Sequence, residues 1–515
     1  MRLDRSAVIL TLLAYCLIHW MIRVFTAPVF TVEEAAHLLF SQSLQAGYDA
    51  RQPPLISWLY WLATRTGQIS PAIIFSVKYV LLFIGLSVYY LAARRILVRP
   101  GVSAAALGAW LLTFQIGWAA HEDLLGGVGL MAALSLCLHA ISRILTGRWD
   151  RGWIYLGVSI GLGMLTHHLF IVLPASLLGA IALSPVFRGA LSRRRLAIVG
   201  LIGAGLYAPY AVWLMTHPET GGRLLAEYAA SWEIDPAWLD RAGHAAAQLG
   251  RTLLEFSLPL LLFWMTLFWT LWLPVIYPIF NRRSTDEEPH ELAWRRLFVQ
   301  AAGIAALVYL LSVILGQQSY RPYWMMPVLF CMPVWLFAHV SRAGEFPVAI
   351  RGFGALVAAF TLLIMGGRVV QAELGITACG EGSCRPYTPF AEWASGLRQA
   401  EFTDGTIVGA DPHLTGNLRA AFPRARILDA SAPPAAYPPR RTRKACLIVW
   451  RDTTFNETRN IAVMPPELSD YLEQELGATL RDKGARGALR RNLQRSDDRA
   501  ATLYYQIISP AGACG

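Results

Sequence analysis

Apolar residues run in blocks of about twenty along the first three-quarters of the chain, and polar residues collect between them in short loops. A bilayer core needs roughly 20 apolar residues per crossing helix, so each block predicts a membrane span. Eleven blocks lie near 7–28, 72–93, 102–119, 124–141, 153–168, 169–187, 196–215, 253–280, 297–316, 323–340 and 352–371. The stretch 153–187 is too long for one helix and reads as two short spans meeting at His167-His168. From about 373 the pattern changes. Charge is frequent, Pro and Gly punctuate the chain, and apolar runs shorten. The runs 406–410, 425–429, 445–450 and 503–509 read as buried strands. Segments 388–400, 411–421 and 467–477 read as helices. The expected fold is an all-α polytopic membrane domain over 1–372, with about eleven spans and a long first outer loop carrying amphipathic helices. A small α/β domain over 373–515 follows.

Loop charge orients the spans, because Lys and Arg accumulate on the cytoplasmic side. With Arg2 and Arg5 inside, the inner loops hold Arg94, Arg95 and Arg99, then Arg143, Arg148 and Arg151, then Arg188 and Arg193–Arg195, and so on to Arg342 and Arg351. The outer loops at 120–123 and 167–168 have no basic residue, and 317–322 has only Arg321. Eleven spans then put the tail in the periplasm of a bacterial inner-membrane protein. The first span reads as retained: it is longer than a signal-peptide core, carries Arg23, and no A-x-A site follows. Cys379, Cys384, Cys446 and Cys514 all lie in the tail, where an oxidising compartment allows disulfides. Three pairings are open, a short Cys379–Cys384 loop among them, as are free thiols.

Composition agrees. Of 515 residues, 55% are hydrophobic and 15% charged, and the mean hydropathy is +0.42, against roughly 45–50% and 25% in soluble domains. A soluble enzyme, a disordered scaffold and a small disulfide-stapled module are excluded. The net charge of +11 sits mostly in the short loops and so does not indicate a nucleic-acid partner. Only three of the basic residues are lysines: Lys78, Lys444 and Lys483.

Charges near membrane depth are costly and therefore mark candidate sites. In the first outer loop Thr31 is placed to cap a helix whose first turn holds Glu33 and Glu34. Ala35, Leu38, Leu39 and Ser43 repeat at helical spacing, which predicts an amphipathic helix lying on the membrane surface. A turn at 47–54 and a Trp-rich apolar helix over 55–66 follow. The two carboxylates read either as helix-dipole partners or as chemistry. The second outer loop, Ala120-His121-Glu122-Asp123, packs an imidazole and two carboxylates into four residues; it is a polar turn or a site. His167-His168 reads as a packed pair or a ligand set. Arg321, beside Tyr320, Tyr323 and Trp324, suits a phosphate or an interfacial anchor.

The order of these features resembles the C-superfamily membrane glycosyltransferases, in the protein-mannosyltransferase-like branch that includes the lipid A aminoarabinose transferases and the rhizobial core galacturonosyltransferases. The motifs are Glu33-Glu34-Ala35, Tyr48, Gln52-Pro53-Pro54-Leu55, Asp123 opening the fourth span, Gly161–Thr166 in the fifth, and Arg321-Pro322-Tyr323-Trp324 entering the tenth. Three positions depart from the family pattern: Glu33 stands for Asp, Gln52 for His, and His167 for Lys. The resemblance implies inverting transfer of a sugar from a polyprenyl-phosphate donor, held among membrane lipid, to a glycan, lipid or protein acceptor. It implies Glu33 as general base, with Asp123, Glu122 and Glu34 as further catalytic carboxylates. Arg321, His167, Arg51 and His121 would face the donor phosphate, and Tyr48, Gln52, Tyr323 and Trp324 would line the pocket. No cofactor is expected, although an acidic pair is able to hold a divalent cation. A lipid-linked sugar flippase and a non-catalytic envelope scaffold are the alternative classes.

Overall fold

The computed structural model describes residues 4–65, 69–97, 99–147, 151–218, 238–268, 289–314, 320–342, 347–374, 384–432, 445–451, 464–475, 485–496 and 499–508. Every apolar block of the sequence meets a helix. Among the described residues six helices are long and apolar enough to cross a bilayer: α1 (Arg5–Thr26), Pro71–Ile96, Leu125–Leu145, Arg193–Thr216, Leu292–Ile314 and Val348–Leu374. Two further blocks are bent pairs, Pro100–Leu111 with Phe114–His121 at 76° and Pro322–Leu329 with Met332–Val340 at 49°, which raises the number to eight. Among the described residues, length and composition thus account for six to eight of the expected eleven. Gly152–Thr166 and His168–Leu183 are short, and they part at His167, whose backbone is extended (φ −161°, ψ 132°). The 253–280 block begins on helix Trp238–Leu267 and then leaves the described residues.

The chain forms two compact units that ignore sequence order. The first comprises Met1–Leu17, Ala50–Pro53 and Tyr79–Ile364; the second comprises Ile18–Asp49, Pro54–Lys78 and Met365–Gly515. The first unit is helical. The crossing of Gly152–Thr166 on Arg193–Thr216 uses glycine: a Cβ on Gly161 would lie 2.5 Å from the Leu206 Cβ.

The second unit joins the tail to the first-loop segment. Its sheet has the order β2-β1-β3-β5-β4. Strands β1 (Thr406–Gly409), β2 (Arg426–Asp429) and β3 (Cys446–Arg451) are parallel. The antiparallel strands β4 (Ala485–Asn492) and β5 (Ala500–Ile508) extend it. Strand β4 was not anticipated from the sequence. It is an edge strand rich in Arg, a composition that discourages edge pairing and hides the strand pattern. Helices Phe390–Gln399, Pro412–Ala421 and Pro466–Glu475 match the expected positions within a few residues. One face of the sheet packs Trp393, Leu397, Phe402, Phe422, Ile407 and Leu447, and Val29 and Leu39 of the first loop enter this same core. The other face packs Val408, Leu428, Ile448, Leu468 and Leu472. Cys384 and Cys446 each take part in a disulfide; Cys379 and Cys514 lie outside the described residues.

Candidate active site

In the second unit the first outer loop forms α2 (Val32–Phe40) and α3 (Leu55–Thr64). The Thr-x-x-Glu spacing makes a full capping box. The Glu34 N–H donates to the Thr31 hydroxyl at 3.4 Å, and the Thr31 N–H donates to the Glu34 carboxylate at 3.0 Å. The apolar face of α2 does not rest on the membrane as expected. It packs on the tail helix Pro412–Ala421, closely enough that a Cβ on Gly416 would lie 2.2 Å from the Ala35 carbonyl oxygen.

Glu34 is fully buried between two cations. Lys78 of the fourth helix, α4 (Pro71–Ile96), reaches Oε1 at 2.8 Å, and Arg23 of α1 reaches Oε2 at 3.2 Å. Arg23 also donates to the carbonyls of Ala27 and Val29 and lies 4.3 Å over the Phe75 ring. Burial alone would raise the Glu34 pKa, but the charges of Lys78 and Arg23 and the Lys78 and Thr31 hydrogen bonds hold it below the usual range. A carboxylate so enclosed has no oxygen open to a substrate, so Glu34 is a structural anion and not the catalytic carboxylate anticipated. Sequence reading passed over Lys78 although its signal was visible: a single cation inside the apolar run Ile73–Phe83.

Glu33 precedes Glu34 on the same turn, rotated by about 100° around the helix, and is half-buried. His37, also on α2, is buried and hydrogen-bonds Ser57 of α3 through Nδ1 at 2.8 Å; burial pulls its pKa down to about 4. Tyr48 is fully buried, donates to the Ser43 carbonyl at 2.6 Å and stacks on Phe40 at 5.4 Å. It packs within the loop.

The other candidates belong to the first unit. His121 is buried, bonded at 2.7 Å to the Tyr15 hydroxyl and stacked on Tyr79. Beside it Glu122 is half-buried and Asp123 exposed. A second group forms a chain of contacts. The Ala50 carbonyl, next to Arg51, accepts from the Tyr210 hydroxyl at 3.2 Å. Tyr210 stacks on His168, and the adjacent His167 meets Tyr323 edge-on at 5.8 Å, within electrostatic reach of Arg321. Tyr323 in turn meets the Trp324 ring edge-on. Arg51 and Arg321 are exposed; Gln52 is half-buried, with Oε1 buried and lacking a hydrogen-bond partner. In the first unit His167 and Arg321 thus lie within electrostatic reach of each other, and the segment beginning at Ala50 is tied to Tyr210, which stacks on His168. Among the described residues no group of three His, Cys, Asp or Glu side chains is arranged to hold a metal.

Comparison with known proteins points one way. Residues 51–213 match the family described as dolichyl-phosphate-mannose-protein mannosyltransferase. The chain is 29% identical over 490 residues to the lipopolysaccharide core galacturonosyltransferase RgtA of Rhizobium johnstonii, covering 91% of this chain and 92% of the relative. It is 26% identical over 483 residues to RgtB of the same organism, covering 93% of each. Its fold is similar to that of ArnT from Cupriavidus metallidurans, solved bound to undecaprenyl phosphate, with TM-score 0.59 at 15% identity over 96% of this chain and 97% of that one. The apo form of ArnT gives 0.57 at 14% identity, with the same coverage. The likeness to membrane glycosyltransferases of the protein-mannosyltransferase-like branch, first visible in the loop motifs, therefore holds by family match, by sequence over nearly the whole chain and by fold.

Proposed function

We propose that the protein is an inverting glycosyltransferase that moves a sugar, by analogy galacturonic acid, from a polyprenyl-phosphate donor to a lipopolysaccharide-type acceptor at the periplasmic face of the inner membrane. The observation that carries this reading is the likeness to two core galacturonosyltransferases over more than nine-tenths of the chain. The disulfide-bonded Cys384 and Cys446 support a tail in an oxidising compartment.

Glu33 takes the proton of the acceptor hydroxyl as general base. The acceptor oxygen attacks the anomeric carbon, the bond from that carbon to the phosphate oxygen breaks, and the polyprenyl phosphate leaves with the electron pair. The sugar inverts. Asp123, helped by Glu122, orients the acceptor. Arg321, Arg51 and His167 stabilise charge on the departing phosphate, and Gln52 offers a hydrogen-bond acceptor to the sugar. The exchange of Glu for Asp at position 33 moves the base by one methylene and suits an acceptor seated farther from the helix.

The test is mass spectrometry of the lipopolysaccharide from cells with and without the gene, together with transfer by the purified protein in detergent. We expect a lost uronic-acid increment in the deletion strain, no rescue by Glu33→Gln, and weaker donor binding in Arg321→Ala. Rescue by Glu33→Gln would remove Glu33 from the base role. A lost increment in the deletion strain with no transfer by the purified protein in detergent would favour a flippase instead.

A further inference from the structure

The tail helix Pro412–Ala421 grips α2 at both ends and in the middle. At the start of α2, Asn417 clasps the peptide of Phe30: its Oδ1 accepts from the Phe30 N–H at 3.0 Å, and its Nδ2 donates to the Phe30 carbonyl at 3.1 Å and to the His413 carbonyl at 2.8 Å. Gly416 sits on Ala35 in the middle. Past the end, Arg419 donates to the Ser41 carbonyl at 3.3 Å. There too Gln42 clasps β2, accepting from the Ile427 N–H at 2.8 Å and donating to the Ile427 carbonyl at 3.0 Å. The two amide clasps are chemically alike but differ in distance from Glu33: Phe30 lies three residues before it and Gln42 nine residues after it. Asn417 is buried, so its four-atom match to the Phe30 peptide is not exchanged for water without cost. The clasp adjoins the capping box, which itself depends on where Thr31 stands.

We propose that Asn417 is a positioning residue for Glu33, and that the tail is thereby a working part of the transferase. The inference rests on the reading of Glu33 as the base. Pinning Phe30 fixes Thr31, Thr31 fixes the first turn, and the first turn fixes the direction of the Glu33 carboxylate. Displacement of a reacting group by about 1 Å costs on the order of 100-fold in rate, so a clasp so close to the base controls turnover, whereas one at the far end controls only attachment.

The experiment compares full-length Asn417→Ala, Asn417→Asp and Gln42→Ala in detergent, with polyprenyl-phosphate galacturonate as donor and core-uronate-deficient lipopolysaccharide as acceptor. Asn417→Ala is expected to lower kcat tenfold to 100-fold with KM for the donor within about twofold. Gln42→Ala should leave kcat within about threefold, although it removes the same number of clasp bonds. Asn417→Asp keeps the acceptor and loses the donor at neutral pH, then regains a donor on protonation. Its activity relative to wild type should therefore rise as pH falls. Hydrogen exchange on the same proteins reads the anchoring without substrate: Thr31, Glu34 and Ala35 amides should exchange at least tenfold faster in Asn417→Ala and not in Gln42→Ala. Equal kcat losses in the two alanine variants, or unchanged exchange at the first turn of α2, would overturn the proposal. If Glu33→Gln proves fully active, the base reading fails, and the exchange result alone decides whether Asn417 anchors the turn.

Discussion

Two carboxylates in the second unit are equally hidden from water, yet they are handled in opposite ways. Glu34 meets two cations and a backbone N–H and stays ionised below its usual range. Asp429, at the end of β2, accepts from the Thr415 hydroxyl at 2.7 Å, the Ser431 hydroxyl at 2.6 Å and the Ser431 N–H at 3.0 Å. Burial pushes its pKa up to about 6 in spite of those bonds. Nearby cations offset the desolvation of Glu34 enough to keep its pKa low, whereas the hydroxyl and amide donors around Asp429 do not do so there. The difference separates an anion that serves as architecture from one whose charge is conditional.

The largest expected effect comes from breaking the first arrangement. Lys78→Met leaves Glu34 with half its compensation, and thermal unfolding should show about 3–5 kcal/mol of lost stability in the second unit. Adding Glu34→Gln to that variant should restore part of the loss, because it withdraws the uncompensated anion; no restoration would mean that Lys78 acts through packing alone. Asp429 comes next and has the opposite pH sign. Its folded pKa of about 6 lies above the ordinary 3.8, so its contribution is full below about pH 4 and is lost as pH rises to about 6, a decline of up to about 3 kcal/mol. Glu34, with a lowered pKa, contributes above the ordinary carboxylate range and loses that contribution only in acid. His37, with its pKa lowered to about 4, has the opposite slope over the same range, so denaturant titration from pH 4 to 7 should isolate Asp429 in the difference curve: Asp429→Asn gains stability relative to the wild type as pH rises. Thr415→Val is smaller, about 1–2 kcal/mol for one lost donor to a buried acceptor, and should move the Asp429 titration higher still. Smallest of all is Glu33→Gln: a half-buried side chain that keeps its shape and loses only its charge should shift stability by less than about 1 kcal/mol while removing transfer.

Legibility in the sequence followed the range of the interaction. Ile407-Val408, Ile427-Leu428 and Leu447–Val449 are dense apolar runs, and each marked its strand. The capping box was readable because Thr31 and Glu34 stand three residues apart. What covers α2 was not readable, because Gly416 and Asn417 lie hundreds of residues away and look like ordinary helix positions. An apolar stripe states that something must cover it, not whether lipid or protein does. For the same reason the Glu33-Glu34 pair gave no hint of which carboxylate turns inward. Lys78 showed itself as an isolated charge, but its partner did not. The residues Arg51, His167 and Arg321 were nominated one at a time by chemistry, and only the contacts through Tyr210, His168 and Tyr323 relate them.

The shared core of Val29, Leu39 and the tail sheet also sets a schedule for biosynthesis. A ribosome adds roughly 5–20 residues each second. The loop is therefore made tens of seconds before the helix that buries it, and all the intervening membrane helices are inserted in between. Throughout that interval the Ala35–Leu39 stripe has no partner of its own, so a chain stalled or cleaved ahead of Pro412 leaves a greasy segment for quality-control proteases or chaperones to find.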